Sequence, residues 1–413
     1  MGEWLGRSIE LDVTKIAHGG VTVARYDNRV VFVSDAIPGE RVLARVTEDA
    51  KPSFWRADTM SVLAPSGFRQ AHVWESASLS HDPVDRVGGA EFGHIQLVHQ
   101  RELKRQVLAE ALERMAGLTL DALVEPLADE HVDGLGWRTR VGLHVDADGR
   151  VGPFAARSHR VIVVPDLPLA TRKVQLAAAS LGRQPTSKSE GRRVDLVVSS
   201  SGQVRVLRPG SPADTLTEQV GDRHFTLNDT GFWQVHRGAA GALSSAVASA
   251  IDAVRFDPIA ANLDLYGGVG LFAASVADRL DAHVHITTVE GDAAASGHAA
   301  TNLADLPNAR AEHGQVQSWL ENLAATSSAA HRERLTRGTV ILDPPRSGAG
   351  RAVVDLLAEI APAQAVYVAC DPIAFARDVG YFAGHGYRLA ALRAFDLFPN
   401  THHLEAVGTL VRE

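Results

Sequence analysis

The pattern of apolar and polar positions divides the chain into three parts, and the first is a series of short strands. Apolar residues alternate with polar ones over four stretches, and Asp27-Asn28 and Pro38-Gly39 lie between some of them as turn signals. About five short strands in fewer than 65 residues predict a small OB-like barrel. The stretches cover residues 9–13, 21–25, 29–33 and 40–46. We therefore expect a first domain over residues 1–65.

The second part, residues 66–223, combines one long helix with further strands. Apolar residues recur at helical spacing over 98–116, which predicts a helix that packs on the C-terminal domain. Its opposite face is charged, and such a face is usually solvated, so RNA contact there is the alternative. The charged residues are Arg101, Lys104, Arg105 and Arg114.

Strands return over 137–208 in this second part, and arginines stand close to their starts. Strands are expected at 137–145, 161–164 and 194–198, and residues 182–193 are expected to form an exposed polar loop. Arginine beside Trp137 and Phe154 would suit phosphate contact and base stacking, so we expect an RNA-contacting β-rich domain. Scattered surface arginines are the alternative. The arginines are Arg138, Arg140, Arg157, Arg160, Arg192 and Arg193.

From residue 224 to the end, strands alternate with helices. Apolar strand patterns at 261–266, 285–290, 339–343 and 365–370 are separated by helical ones, and two more strands follow at 388–396 and 405–412. Repeated β–α units predict a doubly wound parallel sheet that binds ligands at the carboxyl ends of its strands. The third domain is therefore an α/β domain over residues 224–413.

Composition narrows the class of protein. The chain has 413 residues with 45% hydrophobic content, a net charge of −8 and one cysteine. A single cysteine excludes an internal disulfide framework and a cysteine-ligated cluster. No apolar stretch reaches the length of a membrane span, and the N-terminal residues lack the apolar segment of a signal peptide. We expect a cytoplasmic protein with no membrane contact. The acidic charge disfavours a nucleic-acid partner but does not exclude one, because phosphates respond to local charge.

The single cysteine, Cys370, follows the predicted strand at 365–370 and precedes Asp371-Pro372 and a helical pattern. The N-terminus of a helix lowers the pKa of a nearby thiol, so Cys370 is a candidate nucleophile. The alternative is a small buried apolar residue, which is what a lone cysteine most often is.

A glycine-rich turn follows the first strand of the α/β domain. Tyr266, Gly268 and Gly270 lie between that strand and a helix, where glycines let a ligand approach the backbone. Glu290 ends the next strand, in the position from which an acid binds ribose hydroxyls. The spacing is not G-x-G-x-x-G, which disfavours a dinucleotide. This turn with its acid resembles the class I S-adenosylmethionine-dependent methyltransferases.

Two further motifs lie at strand ends, one directly after a strand and one at the start of a strand. Asp343-Pro344-Pro345-Arg346 follows an apolar strand, and its prolines stiffen the backbone there. Glu405 begins the last strand after His402-His403, and partial burial would raise its pKa towards that of a general base. The two adjacent histidines would point apart on an extended segment, so we expect no metal site.

The motifs taken in order resemble one family. The residues around His18-Gly19-Gly20 and Ile37-Pro38-Gly39-Glu40 resemble the TRAM domain, a small RNA-binding barrel. The glycine turn, the Asp-Pro-Pro motif, the Cys370 motif and the segment ending in Glu405 resemble the RNA 5-methyluridine (uracil-C5) methyltransferases. The resemblance spans the chain and is strongest over about 225–413.

This resemblance implies a methyl transfer from S-adenosylmethionine to C5 of a uridine in tRNA or rRNA. It implies that Cys370 is the nucleophile that adds to C6 of a flipped-out uracil and that Glu405 removes the C5 proton. Asp343 and Arg346 would contact the substrate. The expected partner is RNA, and the expected state is a monomer. The implied cofactor-binding residues are Gln234, Tyr266, Gly268, Gly270, Glu290, Gln315 and Asp343.

Two departures from the family pattern affect these expectations. Many members carry a four-cysteine iron–sulfur site, whereas residues 66–93 hold no cysteine, so no such cluster is expected. Asp371 replaces an asparagine beside the nucleophile, and its charge would raise the pKa of the thiol. A methyltransferase for another RNA base and a non-catalytic RNA-binding or RNA-folding protein on the same scaffold remain as alternatives.

Overall fold

Five strands at the N-terminus close into a barrel in the computed structural model, which describes residues 3–51, 53–128, 130–182 and 191–413. The order around the barrel is β1-β2-β3-β5-β4, and β3 and β5 are the parallel pair. Alternation places Ile9, Leu11 and Val13 inside, so one face of each strand fills the core. The predicted OB-like barrel is confirmed. Its strands are β1 (Ser8–Ile16), β2 (Thr22–Tyr26), β3 (Arg29–Ser34), β4 (Arg41–Glu48) and β5 (Phe54–Ala64).

A long helix, α1 (Leu97–Ala116), follows two 3₁₀ turns and ends at Gly117 in the left-handed conformation that glycine adopts readily. Apolar residues on one side, including Leu108 and Leu112, pack into the core of the C-terminal domain. After α1, the short strand β6 (Val124–Glu125) joins the edge of the large C-terminal sheet.

The middle of the chain folds into a four-stranded sheet, one helix and a separate hairpin. The order in the sheet is β10-β9-β7-β8. The strand expected at 161–164 is wrong, because only Val161 forms an isolated bridge, to Phe154. The helix and the hairpin β11–β12 were not predicted. The polar loop expected over 182–193 lies mostly outside the described residues. The elements are β7 (Arg140–Val145), β8 (Val151–Gly152), α2 (Arg172–Ser180), β9 (Arg193–Val198), β10 (Val204–Leu207), β11 (Thr215–Val220) and β12 (Arg223–Asn228).

The C-terminal part is built on an eight-stranded sheet in the order β15-β14-β13-β16-β17-β19-β18-β6. Five neighbouring strands, β15 to β17 in that order, are parallel, and β19 is antiparallel to β17 and β18. The chain runs outward from β13 to β15 and then returns to β16 on the other side of β13. Such a reversal opens a crevice at the carboxyl ends of β13 and β16, where α/β proteins bind ligands.

Helices cover both faces of this sheet, and apolar side chains from the strands form the two cores beneath them. The predicted doubly wound α/β fold is confirmed. Within the described residues, no helix is long and apolar enough to cross a membrane. The elements are α3 (Ala239–Ala250), β13 (Asn262–Leu265), α4 (Leu271–Arg279), β14 (Ile286–Glu290), α5 (Ala293–Asn302), β15 (Ala309–His313), α6 (Val316–Thr326), α7 (Ala329–Thr336), β16 (Thr339–Leu342), α8 (Gly350–Ile360), β17 (Gln364–Ala369), α9 (Pro372–Ala383), β18 (Tyr387–Phe395) and β19 (Glu405–Arg412).

Candidate active site

The glycine turn after β13 is held in shape by the half-buried Glu290 carboxylate. Tyr266, Gly268 and Gly270 have positive φ, and a Cβ on Gly267 would overlap the Thr288 hydroxyl. The Glu290 carboxylate accepts hydrogen bonds from the Gly268 N–H at 2.9 Å and from the Asp292 N–H at 2.7 Å. Glu290 therefore connects the turn after β13 to the turn after β14.

Gln315 and Gln234 occupy different positions around this turn. Gln315 is the N-cap of α6, after β15, and its side-chain amide lies against Gly291, where a Cβ would come within 2.8 Å of Nε2. The structure thus brings Gln315 next to Glu290 at the carboxyl edge of the sheet. Gln234 lies half-buried on the segment between β12 and α3.

Asp264, which the sequence reasoning missed, lies beneath the glycine turn. It is fully buried in β13, and one oxygen accepts from the Ala273 N–H at 3.1 Å and from the Thr288 hydroxyl at 3.2 Å. The other oxygen is buried without a hydrogen-bond partner. Burial raises the pKa of Asp264 to about 7. The signal available in the sequence was a lone acid inside the apolar strand 262–265.

Asp343 follows β16 at the other side of the same crevice. Its N–H donates to the Leu265 carbonyl at 3.3 Å, which ties it to the end of β13. Burial, and then the neighbouring Asp264 carboxylate, raise the pKa of Asp343 to about 7. The crevice between β13 and β16 therefore carries two carboxyl groups, of the buried Asp264 and the half-buried Asp343, whose pKa values are both raised to about 7.

Cys370 lies half-buried directly after β17 and before α9. The expectation that the helix lowers the pKa of this thiol is wrong: burial, and then the Glu405 charge, raise the pKa to about 12 against the opposing effect of Arg346. The Asp343 and Asp371 charges also contribute to this increase. Burial is the main physical reason for the error, and the N-cap contributes to it. One oxygen of Asp371 accepts from the Ile373 and Ala374 N–H groups at 3.0 and 2.9 Å, so the thiol is not the group at which these donors are aimed.

Glu405 begins β19 and is buried, with 4% of its surface exposed. Burial, and then the nearby Asp343, raise its pKa well above the usual value, while Arg346 lowers it. This direction agrees with the expectation for Glu405. The β17–β19 register pairs Ala369 with Ala406, so Cys370 and Glu405 occupy the next pair of positions. Neighbouring strands bring such positions within about 5.5 Å between Cβ atoms.

Arg346, His402 and His403 form a cluster beside the thiol. Arg346 Nη2 lies 3.4 Å from His403 Nε2, and His402 Nδ1 lies 3.5 Å from Glu91 Oε2. The expectation that the two histidines point apart is wrong, because their segment bends and the ring centroids are 4.0 Å apart. Burial, and then His402, lower the pKa of His403 to about 3. Among the described residues, no group of three His, Cys, Asp or Glu side chains could hold a metal ion.

A cavity of about 90 Å³ opens beside Cys370. Four parts of the chain line it: the barrel loop 17–20 between β1 and β2, the segment before α1 through Phe92, helix α1 through Lys104 and Val107, and the C-terminal-domain segments that carry Arg346 and His403. Lys104 was expected on the solvated face of its helix, and this is wrong. Its side chain is fully buried, and Nζ lies 2.5 Å from Asp396 at the end of β18.

The arginines expected near RNA are mostly engaged within the protein. Arg157 pairs with Asp58 and Arg160 with Asp85, whereas Arg193 donates to Asp195 at 2.7 Å. Arg140 donates to the Gly231 carbonyl at 2.5 Å. Except for the Arg193–Asp195 contact within β9, these contacts link the middle part of the chain to other segments, and RNA contact by this group stays a prediction.

Comparison with known families decides the class of protein. The profile of the family described as tRNA (uracil-5-)-methyltransferase matches residues 194–413, which is more than half of the chain. The TRAM-domain profile matches residues 4–58. The chain belongs to the tRNA (uracil-5-)-methyltransferase family.

Whole-length relatives of this family member are named as RNA methyltransferases. An uncharacterized RNA methyltransferase of Streptomyces avermitilis is 35% identical over 98% of this chain and 98% of that protein. The 23S rRNA (uracil(1939)-C(5))-methyltransferase RlmD of Alkalilimnicola ehrlichii is 29% identical over 98% of this chain and 96% of that one.

A solved structure shares the fold. The crystal structure of Pyrococcus abyssi tRNA (uracil-54, C5)-methyltransferase in complex with S-adenosyl-L-homocysteine matches with a TM-score of 0.69 at 20% identity, covering 97% of this chain and 100% of that chain. The chain is thus an S-adenosylmethionine-dependent RNA uracil-C5 methyltransferase with a TRAM domain. The resemblance read from its motifs is confirmed.

Proposed function

We propose that this methyltransferase works through a covalent adduct between Cys370 and C6 of the target uracil, and that Glu405 removes the C5 proton. The register of β17 and β19 carries this proposal, because it leads directly to Cys370 and Glu405 as neighbours. Both groups lie beside Arg346 and within the electrostatic influence of Asp343. A thiol and a carboxyl group are the two functional groups that this chemistry requires.

The steps assign one role to each side chain. After loss of its proton to solvent, the Cys370 sulfur bonds to C6, and the C5=C6 π electrons move to the O4 carbonyl as an enolate. S-adenosylmethionine, when bound, supplies the electrophilic methyl group that C5 takes up. The Glu405 carboxylate then accepts the proton from C5, and the electrons of that C–H bond restore C5=C6 and expel the sulfur as a thiolate.

Arg346 is suited to stabilising negative charge in this reaction, and Asp343 is suited to hydrogen bonding with the uracil. The Arg346 cation lowers the pKa of both Cys370 and Glu405, so it favours the charged form that each needs. The same cation would stabilise the enolate or contact a phosphate of the target. A carboxyl group such as Asp343, with a pKa of about 7, can donate as well as accept a hydrogen bond and so suits the polar edge of uracil.

The residues around the glycine turn fit S-adenosylmethionine. The absence of a Cβ at Gly267 keeps the backbone turn tight, and the second oxygen of Asp264 is buried without a partner beneath it. We infer that the cofactor is held by Gln234, Tyr266, Gly268, Gly270, Glu290, Gln315 and Asp343. Glu290 and Gln315 lie together at this edge, which supports their share in the site.

We propose ribosomal RNA as the acceptor. The whole-length similarity to an RlmD protein named for 23S rRNA supports this choice over tRNA. We also propose a cytoplasmic monomer with domains over 1–65, 66–223 and 224–413. A single cysteine and an RNA partner favour the cytoplasm.

The deciding experiment is nucleoside mass spectrometry of separated rRNA and tRNA from a deletion strain. We expect 5-methyluridine to be lost from rRNA and to return with the wild-type gene but not with Cys370→Ala. Loss from tRNA alone would overturn the rRNA assignment. Unchanged 5-methyluridine in both RNAs would overturn the assigned reaction, and rescue by Cys370→Ala would overturn the adduct.

A further inference from the structure

One contact joins the barrel to the residue beside the nucleophile. His18, in the barrel loop between β1 and β2, has Nε2 at 3.3 Å from Asp371 Oδ2. His18, Cys370 and Asp371 all line the same cavity. A Cβ on Gly20, two residues further along the loop, would come within 2.7 Å of the His402 Cβ, so this loop lies directly against the catalytic domain. The barrel therefore supplies part of the wall around the thiol.

Both oxygens of Asp371 have assigned partners. Oδ1 accepts from the Ile373 and Ala374 N–H groups at the start of α9, and Oδ2 faces His18. The N-cap contact fixes the carboxylate at the helix end, and the imidazole lies on its other side. Without the His18 imidazole, the Asp371 carboxylate would remain fixed at the helix end next to Cys370, and its Oδ2 would have no partner there.

The balance of charges around the Cys370 thiol shows why the contact between His18 and Asp371 matters. Glu405, Asp343 and Asp371 all oppose the thiolate, and Arg346 is the cation that favours it. Lys104 also lines the cavity, but its charge is engaged by Asp396. His402 faces Glu91, and His403 faces Arg346. His18, when protonated, is a second cation, and its contact places it to offset the Asp371 carboxylate.

We propose that His18, although it belongs to the barrel, is a positioning residue of the active site that holds the Asp371 carboxylate in its capping conformation and offsets its charge beside Cys370. This rests on the proposed role of Cys370 as the nucleophile. It makes the reactivity of the thiol depend on the docked position of the barrel loop 17–20. The Asp371 position, where the family pattern has asparagine, is then tolerated because His18 is opposite it.

The single cysteine allows a direct test without RNA or methyl transfer. The full-length protein is treated with iodoacetamide at about pH 6 and about pH 8, and alkylation of Cys370 is followed by intact-protein mass spectrometry. Alkylation reports the thiolate fraction. Histidine side chains in general change charge between about pH 5 and 8, so the two pH values distinguish an effect of charge from an effect of packing.

Variants of His18 and Asp371, alone and together, form a double-mutant cycle. His18→Gln, which removes the charge, lowers the alkylation rate by roughly threefold to tenfold at about pH 6, as expected for one charge near a part-buried group. His18→Arg restores it. Asp371→Asn raises the rate and keeps a good N-cap. In the Asp371→Asn background, His18→Gln has no further effect.

Lys15→Ala is the matched control. It removes another ion pair between the barrel and the rest of the chain, Lys15–Glu110 at 2.9 Å, which lies outside the cavity lining. We expect its alkylation rate to equal that of the wild type. The proposal is overturned if His18→Gln alkylates like the wild type, or if it slows alkylation equally with Asp371 and with Asn at that position. Neither outcome depends on methyl transfer, so the proposed function fails or holds separately.

Discussion

Cys370 directly follows β17 and Glu405 begins β19, and the antiparallel register of these strands, which pairs Ala369 with Ala406, makes the two residues neighbours in the middle of a mainly parallel sheet. The two residues lie at the strand ends that meet at the ligand-binding edge, near Asp343, which follows β16. An antiparallel return strand is what brings a residue from the start of one strand beside a residue from the end of another. The proposed nucleophile and proton acceptor therefore belong to one rigid element of the fold.

Replacement of Glu405 by glutamine should trap the reaction after the adduct forms. An amide cannot take the C5 proton, so release of the sulfur should slow by about 10²–10⁴-fold. A protein–RNA complex that survives denaturing electrophoresis should accumulate with Glu405→Gln, S-adenosylmethionine and substrate RNA. Wild-type protein with 5-fluorouridine RNA should give the same complex. A complex that forms equally with Cys370→Ser and Glu405→Gln together would contradict the assigned nucleophile.

Methylation by the wild-type enzyme should accelerate with rising pH. The pKa of the Cys370 thiol is raised to about 12, and the pKa of Glu405 is also raised, so both active forms gain population as pH increases. Below the thiol pKa, the thiolate fraction rises about tenfold per pH unit. Single-turnover rates between about pH 6.5 and 9 should therefore rise throughout. A rate that levels off below about pH 8 would mean that RNA binding lowers the thiol pKa or that a later step limits the rate.

The strands and turns of the catalytic domain could be predicted because local patterns determine them. Apolar runs that end in Tyr266, Asp343 and Cys370 identify buried strands and the loops that follow them. Parallel β–α topology then places these strand ends at one edge. The pairing of Cys370 with Glu405 could not be predicted in the same way, because it depends on the register between two strands that are not consecutive.

The failures have a common cause in contacts from distant parts of the chain. Helical spacing put Lys104 on a polar face, yet Asp396 from the end of β18 covers it. The helix next to Cys370 predicted a lowered thiol pKa, yet burial and then the Glu405 and Asp343 charges raise it, and Asp371 accepts hydrogen bonds from the helix N–H groups. Asp396, Glu405 and Asp343 lie outside the local pattern around these residues, whereas Asp371 lies next to Cys370 and its effect on the thiol pKa was expected.

Replacement of Glu290 by glutamine should weaken cofactor binding without RNA. Its two oxygens accept from the Gly268 and Asp292 N–H groups, and a glutamine must point its NH₂ at one of these donors. The loss of one hydrogen bond to a charged acceptor corresponds to about tenfold in the dissociation constant for S-adenosylmethionine. Isothermal titration calorimetry measures it. Glu321→Gln, on the exposed face of α6, is the control and should bind as the wild type does. Equal affinities for all three proteins would contradict the role of Glu290 at the turn.

Truncation of Lys104 should destabilise the protein because it leaves a buried charge without its main partner. Lys104 Nζ contacts Asp396 at 2.5 Å and the Phe398 carbonyl at 3.1 Å, and both charged side chains are fully buried. Removal of one partner of such a pair costs about 3–5 kcal/mol. Arg101, at 3.3 Å from the same carboxylate, should keep the loss near the lower end.

Urea unfolding of α1 variants provides the measurement for Lys104. Arg114→Ala removes an exposed pair with Glu110 on the same helix and should change the free energy of unfolding by less than about 0.5 kcal/mol. The double variant Lys104→Met with Asp396→Asn removes both buried charges and should recover part of the loss seen with Lys104→Ala. A Lys104→Ala protein as stable as Arg114→Ala would mean that Arg101 alone satisfies Asp396. The segment from Asp396 to Glu405 would then be held against α1 by the hydrogen bonds between Gln100 and Asn400 instead.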